Sequence, residues 1–204
     1  MNNLFSVKDK VILITGASSG LGCHFARILA QAGAKVALGA RRLDRLEKIA
    51  GEIRQNSGFV FINKLDVTQV DEIKQFVASA IDQLGMIDVL INNAGVDART
   101  NLFETSEADW IPVIETNLKG AVMMTQAVAP HMVEKKKGGS IINISSVSDV
   151  LAFKGGNPAY MLSKAGLAHF THLLSLELAE FNIRANTIAP GIFQTGRCTQ
   201  EKTG

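Results

Sequence analysis

Tyr160 and Lys164, in the run Tyr160-Met161-Leu162-Ser163-Lys164, carry the most specific chemistry in the chain. Asn157-Pro158 just upstream reads as a helix N-cap followed by a first-turn proline, so a helix should begin there. On such a helix residues four apart share a face, which places a phenol beside an ammonium. A free phenol holds its proton too tightly to trade it readily near neutrality. A neighbouring cation and the positive end of a helix both favour the phenolate. The pair could then give a proton to a carbonyl oxygen as a hydride reaches the carbon, or run the reverse. Tyr160 is the only tyrosine. A lone tyrosine near a helix start is more often a half-buried surface residue, so the pair means chemistry only beside a hydride source.

Such a source has a candidate site near the N-terminus. The apolar run Val11-Ile12-Leu13-Ile14 leads into Thr15-Gly16-Ala17-Ser18-Ser19-Gly20-Leu21-Gly22, after which an amphipathic pattern begins. Glycines at 16, 20 and 22 allow a tight turn, close approach of backbone N–H groups to a pyrophosphate, and close packing of helix on strand. The helix start then aims its partial positive charge at the phosphates. Glycines also serve ordinary turns, but the strand–loop–helix context favours a dinucleotide. No Gly-Lys-Ser/Thr ending is present, which argues against a nucleoside triphosphate site. After the next apolar run comes Gly39-Ala40-Arg41-Arg42, where an NAD site would usually offer a carboxylate to the ribose. A guanidinium at Arg41 or Arg42 can instead bond a 2′-phosphate, so NADP(H) is favoured over NAD(H). The alternative is a pair of solvent-facing arginines opening a helix, a placement that the helix dipole disfavours.

With Leu65-Asp66-Val67, Asn92-Asn93-Ala94-Gly95, Asn117-Leu118, Ser145-Ser146 and Pro190-Gly191-Ile192-Phe193-Gln194-Thr195, these make seven motifs in order over about Lys10 to Thr195. The chain resembles the short-chain dehydrogenase/reductase family, in its branch of ordinary-length single-domain enzymes of the 3-oxoacyl-acyl-carrier-protein reductase kind. The resemblance implies that Thr15, Gly16, Ser18, Ser19, Gly20, Leu21 and Gly22 hold the cofactor phosphates. Asp66 would bond the adenine amino group, Val67 would supply a backbone contact, and Asn93, Ala94 and Gly95 would lie along the adenosine ribose. Ser146 would hold the substrate oxygen and Tyr160 would be the acid/base. Lys164 would bind the nicotinamide ribose, and Asn117 would hold a water through its backbone and extend a proton relay. Pro190, Gly191, Ile192 and Thr195 would orient the nicotinamide end. Ser146 precedes Tyr160 by fourteen positions, one more than the family's usual spacing. The 148–157 segment therefore carries an insertion, and Ser145 or Ser148 is an alternative to Ser146.

Positioning these groups requires a sheet. Besides the first strand, apolar runs occur at Val36-Ala37-Leu38, Phe59-Val60-Phe61-Ile62, Val89-Leu90-Ile91, Ile141-Ile142-Asn143-Ile144 and Ile183 to Ile188. Helical periodicity fills the gaps at about Gly20–Ala32, Leu43–Gln55, Gln69–Leu84, Trp110–Lys135 and Pro158–Glu180. Near-continuous apolar strands alternating with helices predict an α/β fold, a Rossmann-type doubly wound parallel sheet in three layers. A single domain over residues 1–204 is expected. The family continues past about residue 195 into substrate-covering helices and a last strand, so without them 183–188 would be an exposed sheet edge.

Composition narrows the alternatives. With 21 Lys+Arg against 19 Asp+Glu and no concentrated basic face, a nucleic-acid partner is not expected. Lys135-Lys136-Lys137 reads as solvated charge at a helix end. Cys23 and Cys198 are too few for a disulfide framework, the N-terminus is too short and polar for a secretory signal, and no run spans a bilayer. A cytoplasmic protein without membrane contact is expected. His169 and His172 stand i,i+3 on a helix without a third ligand nearby, and His24 and His131 are isolated, so no metal site is expected. By resemblance, the long helices near 111–135 and 158–180 would form a homodimer or homotetramer. The expected partner is a small carbonyl or alcohol substrate. The rival reading is a catalytically weak nucleotide-binding regulator of the same fold.

Overall fold

The computed structural model describes residues 5–98 and 100–193. Strands and helices alternate: β1 (Val11–Thr15), α1 (Gly20–Gln31), β2 (Lys35–Ala40), α2 (Leu43–Gln55), β3 (Phe59–Lys64), α3 (Val70–Leu84), β4 (Val89–Asn92), α4 (Glu107–Ile114), α5 (Gly120–Lys135), β5 (Gly139–Ile144), α6 (Pro158–Glu177) and β6 (Ile183–Ile188). The strands form one parallel sheet in the order β3-β2-β1-β4-β5-β6. This is the doubly wound Rossmann arrangement. The chain first winds outward from β1 to β3, then crosses back to β4. That reversal opens a crevice at the carboxyl ends of β1 and β4, where such sheets bind ligands.

The apolar runs of the sequence are strands because both faces are covered. Along β1, Val11 and Leu13 join one core with Phe76, Leu90, Met124 and Ile141. Ile12 and Ile14 join the other with Ala26, Leu38, Leu46 and Ile49. Successive strand residues point to opposite faces, so α3 and α5 cover one side and α1 and α2 the other. Strand β6 lies at the edge, and Arg184, Asn186 and Ile188 alternate outward along it. Among the described residues no helix is long and apolar enough to cross a membrane.

Two polar devices set the frame for the site. At the amino end of the sheet, Asp88 accepts from the Val11 N–H at 2.8 Å and pairs with Lys135 and Lys10. It binds the starts of β1 and β4 to the end of α5. At the other end, Asn92 Nδ2 donates to Asn143 Oδ1 at 2.9 Å, and Asn143 Nδ2 donates to Thr171 Oγ1 at 2.9 Å. Thr187 Oγ1 donates to the same Thr171 oxygen. This buried chain fastens β4, β5, β6 and α6 just beneath the crevice.

One expected element differs. The helix anticipated over Trp110–Lys135 starts earlier, at Glu107, where Ser106 and Asp109 form a reciprocal capping box. It is then interrupted by a π-helical turn at Glu115–Lys119, closed by Gly120 N–H donating to the Glu115 carbonyl. Pro112 lacks the N–H that would complete the preceding turn. Gly120, where a Cβ would lie 2.7 Å from Val67 Cγ2, lets α5 close onto the loop after β3. The inserted residue rotates Asn117 inward, to 1% exposure. Periodicity does not show such single-turn insertions, which recur at functional sites.

Candidate active site

The glycine loop joins β1 to α1 and is held by the segment leaving β4. Thr15 Oγ1 accepts from the N–H groups of Asn93 and Ala94, both at 3.0 Å. The Asn93 carboxamide donates to the carbonyls of Thr15 (2.9 Å) and Gly16 (3.2 Å). A Cβ on Gly22 would lie 2.4 Å from Asn93 Nδ2 and 2.7 Å from the Gly16 oxygen, so only glycine lets α1 sit this close. Gly20, at φ +59°, has nothing within 4 Å of where a Cβ would stand. Ser19 is the N-cap of α1 but makes no side-chain cap bond. The helix start thus faces open space without a side-chain cap, as an anion site requires. Asn93 serves the scaffold: its side chain is turned into the loop.

Arg42 closes over that loop. Its Nη2 donates to Ser18 Oγ at 3.0 Å and Ser19 Oγ at 2.8 Å, bringing a guanidinium to two hydroxyls beside the helix start. Arg41 is exposed. Asp66, at the exit of β3, uses Oδ1 to accept from the Thr68 N–H (3.0 Å) and hydroxyl (2.8 Å), an Asx-type turn that holds the carboxylate at the sheet edge. Val67 packs against the Gly120 backbone.

The phenol and ammonium lie across the crevice. Asn157 caps α6, its Oδ1 accepting from the Tyr160 N–H at 2.7 Å. Tyr160 is half-buried and Lys164 only 4% exposed. Lys164 Nζ stands 5.7 Å from the centre of the Tyr160 ring and donates to the Ile144 carbonyl at 2.7 Å. A Cβ on Gly95 would lie 3.6 Å from that nitrogen and 3.3 Å from Asn117 Oδ1. Gly95, Asn117 and Lys164 are therefore neighbours. Asn117 accepts from the Val96 N–H at 2.7 Å, and its Nδ2 donates to the Val96 carbonyl at 2.9 Å and to Ser163 Oγ at 3.0 Å. Its side chain is a clamp between the β4 exit and α6.

The serines separate by role. Ser145 Oγ donates to the Lys164 carbonyl at 3.0 Å, which takes it out of the crevice and fastens α6 to β5. Ser146 Oγ accepts from the Ser148 N–H at 3.2 Å and lies 3.2 Å from Ser148 Oγ, in a 3₁₀ turn at Val147–Asp149. Ser146 and Ser148 form the hydroxyl pair at the end of β5. Pro190 accepts from the Val147 N–H at 3.0 Å, joining the β6 exit to the same corner, with Gly191 and Ile192 exposed beyond it. Thr195 and Cys198 lie outside the described residues. Cys23 is buried and accepts from Arg27 Nη1. The rings of His169 and His172 stand edge-on, 6.0 Å apart.

Ser163 and Thr100 were not foreseen as part of this arrangement. Ser163 sits inside the Tyr160–Lys164 run and donates to the Tyr160 carbonyl at 2.7 Å. Its position three residues after Tyr160 was a local signal. Thr100 is bonded to Asn157, 57 residues away, and no spacing rule predicts that.

Comparison with known proteins agrees with this geometry. The family model described as short chain dehydrogenase matches residues 10–203. The chain is 41% identical over 192 residues to the 3-oxoacyl-[acyl-carrier-protein] reductase FabG of Thermotoga maritima, covering 93% of this chain and 76% of that one. It is 37% identical over 198 residues to the 2-dehydro-3-deoxy-D-gluconate 5-dehydrogenase of Escherichia coli (strain K12), covering 96% and 76%. Among solved structures, a variant of actinorhodin polyketide ketoreductase with NADPH superposes at a TM-score of 0.89 and 34% identity, covering 94% of this chain and 73% of that one. The chain belongs to the short-chain dehydrogenase/reductase family of oxidoreductases.

Proposed function

We propose that the protein interconverts a carbonyl and a secondary alcohol using NADP(H), with Tyr160 as the acid/base. The observation that carries this reading is Lys164. A buried ammonium is tethered to the end of β5 beside a half-buried phenol, next to the segment that holds the glycine loop. A dinucleotide fits the crevice: α1 starts without a side-chain cap before open space at Gly20, and Arg42, Ser18 and Ser19 cluster beside it. Bound there, it supplies or accepts a hydride at its nicotinamide ring.

The phosphates would lie on Gly16, Ser18, Ser19, Gly20 and Leu21, with buried Thr15 and Gly22 holding that loop against the β4 exit, and Arg42, helped by Arg41, would meet a 2′-phosphate. Asp66 and Val67 would border the adenine, and Ala94 and Gly95 the ribose, with Asn93 holding the loop. Pro190, Gly191, Ile192 and Thr195 would border the nicotinamide. In the reducing direction, Ser146, paired with Ser148, holds the carbonyl oxygen. As hydride reaches the carbon, the Tyr160 hydroxyl gives its proton to that oxygen, and Lys164 stabilises the phenolate left behind until solvent reprotonates it. Asn117 keeps Val96 and Ser163 in place around the pair.

Leu102, Phe103, Val150, Leu151 and Phe153 are exposed on the loops leaving β4 and β5. This apolar rim favours a substrate with an acyl or ring body over a polyhydroxy acid. Leu162, Leu173 and Leu176 on α6, with Ile111 on α4, give an apolar helical surface suited to a homodimer or homotetramer in the cytoplasm. The regulator reading is not favoured, because the relatives that match are oxidoreductases. Tyr160→Phe tests the assignment. With acetoacetyl-coenzyme A and NADPH, turnover followed by NADPH absorbance should disappear while NADPH still binds by fluorescence. Retained turnover would overturn it.

A further inference from the structure

Asn157 does more than cap a helix. It is 6% exposed, and both ends of its carboxamide are engaged. Oδ1 accepts the Tyr160 N–H at 2.7 Å, and Nδ2 donates to Thr100 Oγ1 at 2.7 Å. Thr100 Oγ1 lies 3.0 Å from Thr105 Oγ1, which lies 2.6 Å from the Asn101 carbonyl. Counting protons orients this chain. A carbonyl only accepts, so Thr105 gives its single hydroxyl proton to Asn101. Thr100 must then donate to Thr105, and its lone pair takes the Asn157 amide proton. The Asn101 carbonyl also accepts the N–H of Thr105 at 3.0 Å and of Glu104 at 3.2 Å. The relay thus ends in the turn that displays Leu102 and Phe103, which are 70% and 96% exposed.

A cap alone needs only an acceptor, which aspartate, serine or threonine supplies equally well. The donor end of Asn157 is aimed instead at a segment 57 positions away in sequence. That segment is fastened to α6 once already, through Asn117 from Val96 to Ser163. Thr100 is the second fastening, one helical turn before the phenol.

We propose that Asn157 is a positioning residue: one carboxamide latches the 100–105 turn, a wall of the substrate site, to the helix end that presents Tyr160. This rests on the carbonyl-reductase reading above. The latch sets how the substrate body lies against the turn while its carbonyl oxygen meets the phenol. It leaves the proton transfer and the cofactor crevice untouched.

The test uses the full chain with Thr100→Val, which keeps the shape and the cap but removes the hydroxyl, and Asn157→Ser, which keeps a cap acceptor but removes the amide donor. Thr100→Ser is the conservative control. Two readouts are taken: KM and kcat for acetoacetyl-coenzyme A with NADPH, and amide hydrogen exchange of residues 101–105 against 160–164. Loss of one part-buried hydrogen bond should raise KM about fivefold in either variant, with kcat and NADPH affinity within about twofold. Exchange should quicken in 101–105 alone, Thr100→Ser should behave as wild type, and the double variant should be no worse than either single one. Unchanged exchange in 101–105, or kcat and NADPH affinity falling as KM rises, would overturn the latch. A wild-type chain that turns nothing over sinks the proposed function instead, and the exchange comparison still decides the latch.

Discussion

Lys164 Nζ donates to the Ile144 carbonyl at 2.7 Å, so the ammonium is pinned to the last residue of β5. The Lys164 carbonyl in turn accepts from Ser145 on the next residue of the chain. Helix α6 is thus sewn to the end of β5 at both the head and the root of this side chain. Lys164→Met should lower kcat by about a hundredfold, in the range of a lost acid–base group. It should also cost about 1–2 kcal/mol of stability, because the Ile144 carbonyl loses its partner in a buried place. Paired steady-state kinetics and urea unfolding would show both losses. Unchanged kcat would mean that the ammonium is only a structural tether.

Arg42 reaches Ser18 and Ser19, whereas Arg41 is exposed. A bound 2′-phosphate should therefore draw mainly on Arg42. Arg42→Ala should weaken NADPH binding about tenfold or more and leave NADH within about twofold, since a hydrogen bond to a charged group contributes about 1.5–3 kcal/mol. Arg41→Ala should have the smaller effect. Fluorescence titration with both cofactors checks this, and equal losses for NADPH and NADH would remove the phosphate argument.

The three serines near β5 should respond differently. Ser146→Ala should lower kcat by about a hundredfold, because its hydroxyl is the one aligned by the Ser148 N–H. Ser145→Ala should leave kcat nearly unchanged and cost about 1 kcal/mol of stability, the value of its buried bond to α6. The reverse ranking in the same assays would reassign the substrate oxygen to Ser145.

The strands were legible because their signal is local and redundant. Val11 to Ile14 is apolar on both faces, and helices cover both. The glycine loop and the Tyr160–Lys164 pair were legible for a related reason: chemistry that needs a turn or an i,i+4 spacing writes it into adjacent positions. Asn117 was named from its motif, but its inward clamp depends on a π-turn that adds one residue without changing the pattern of residue types. Choosing between Arg41 and Arg42 needs the direction of neighbouring side chains at a helix start, which composition does not encode. Ser145 and Ser146 differ only in the face of the strand end from which each leaves. The Asn157–Thr100 bond joins distant segments, and only the assembled sheet edge brings them together.

Asp88 supplies a test of the frame that is independent of the chemistry. Burial pushes its carboxyl upward, but the bond from Lys135, the Val11 N–H and the charges of Lys135 and Lys10 outweigh that and hold it below the usual carboxylate range. A group depressed on folding stabilises the fold above its unfolded-state value, and that contribution fades as pH falls through the folded one. Stability should therefore drop on acidification below about pH 4. Asp88→Asn should cost about 2 kcal/mol at neutral pH, leaving Lys135 without its carboxylate, and should flatten that part of the acid limb. Urea unfolding of both proteins at pH 7 and pH 3 measures the difference directly. If the gap between them is as large at pH 3 as at pH 7, the Asp88 cluster is not what links β1, β4 and α5 through its charge.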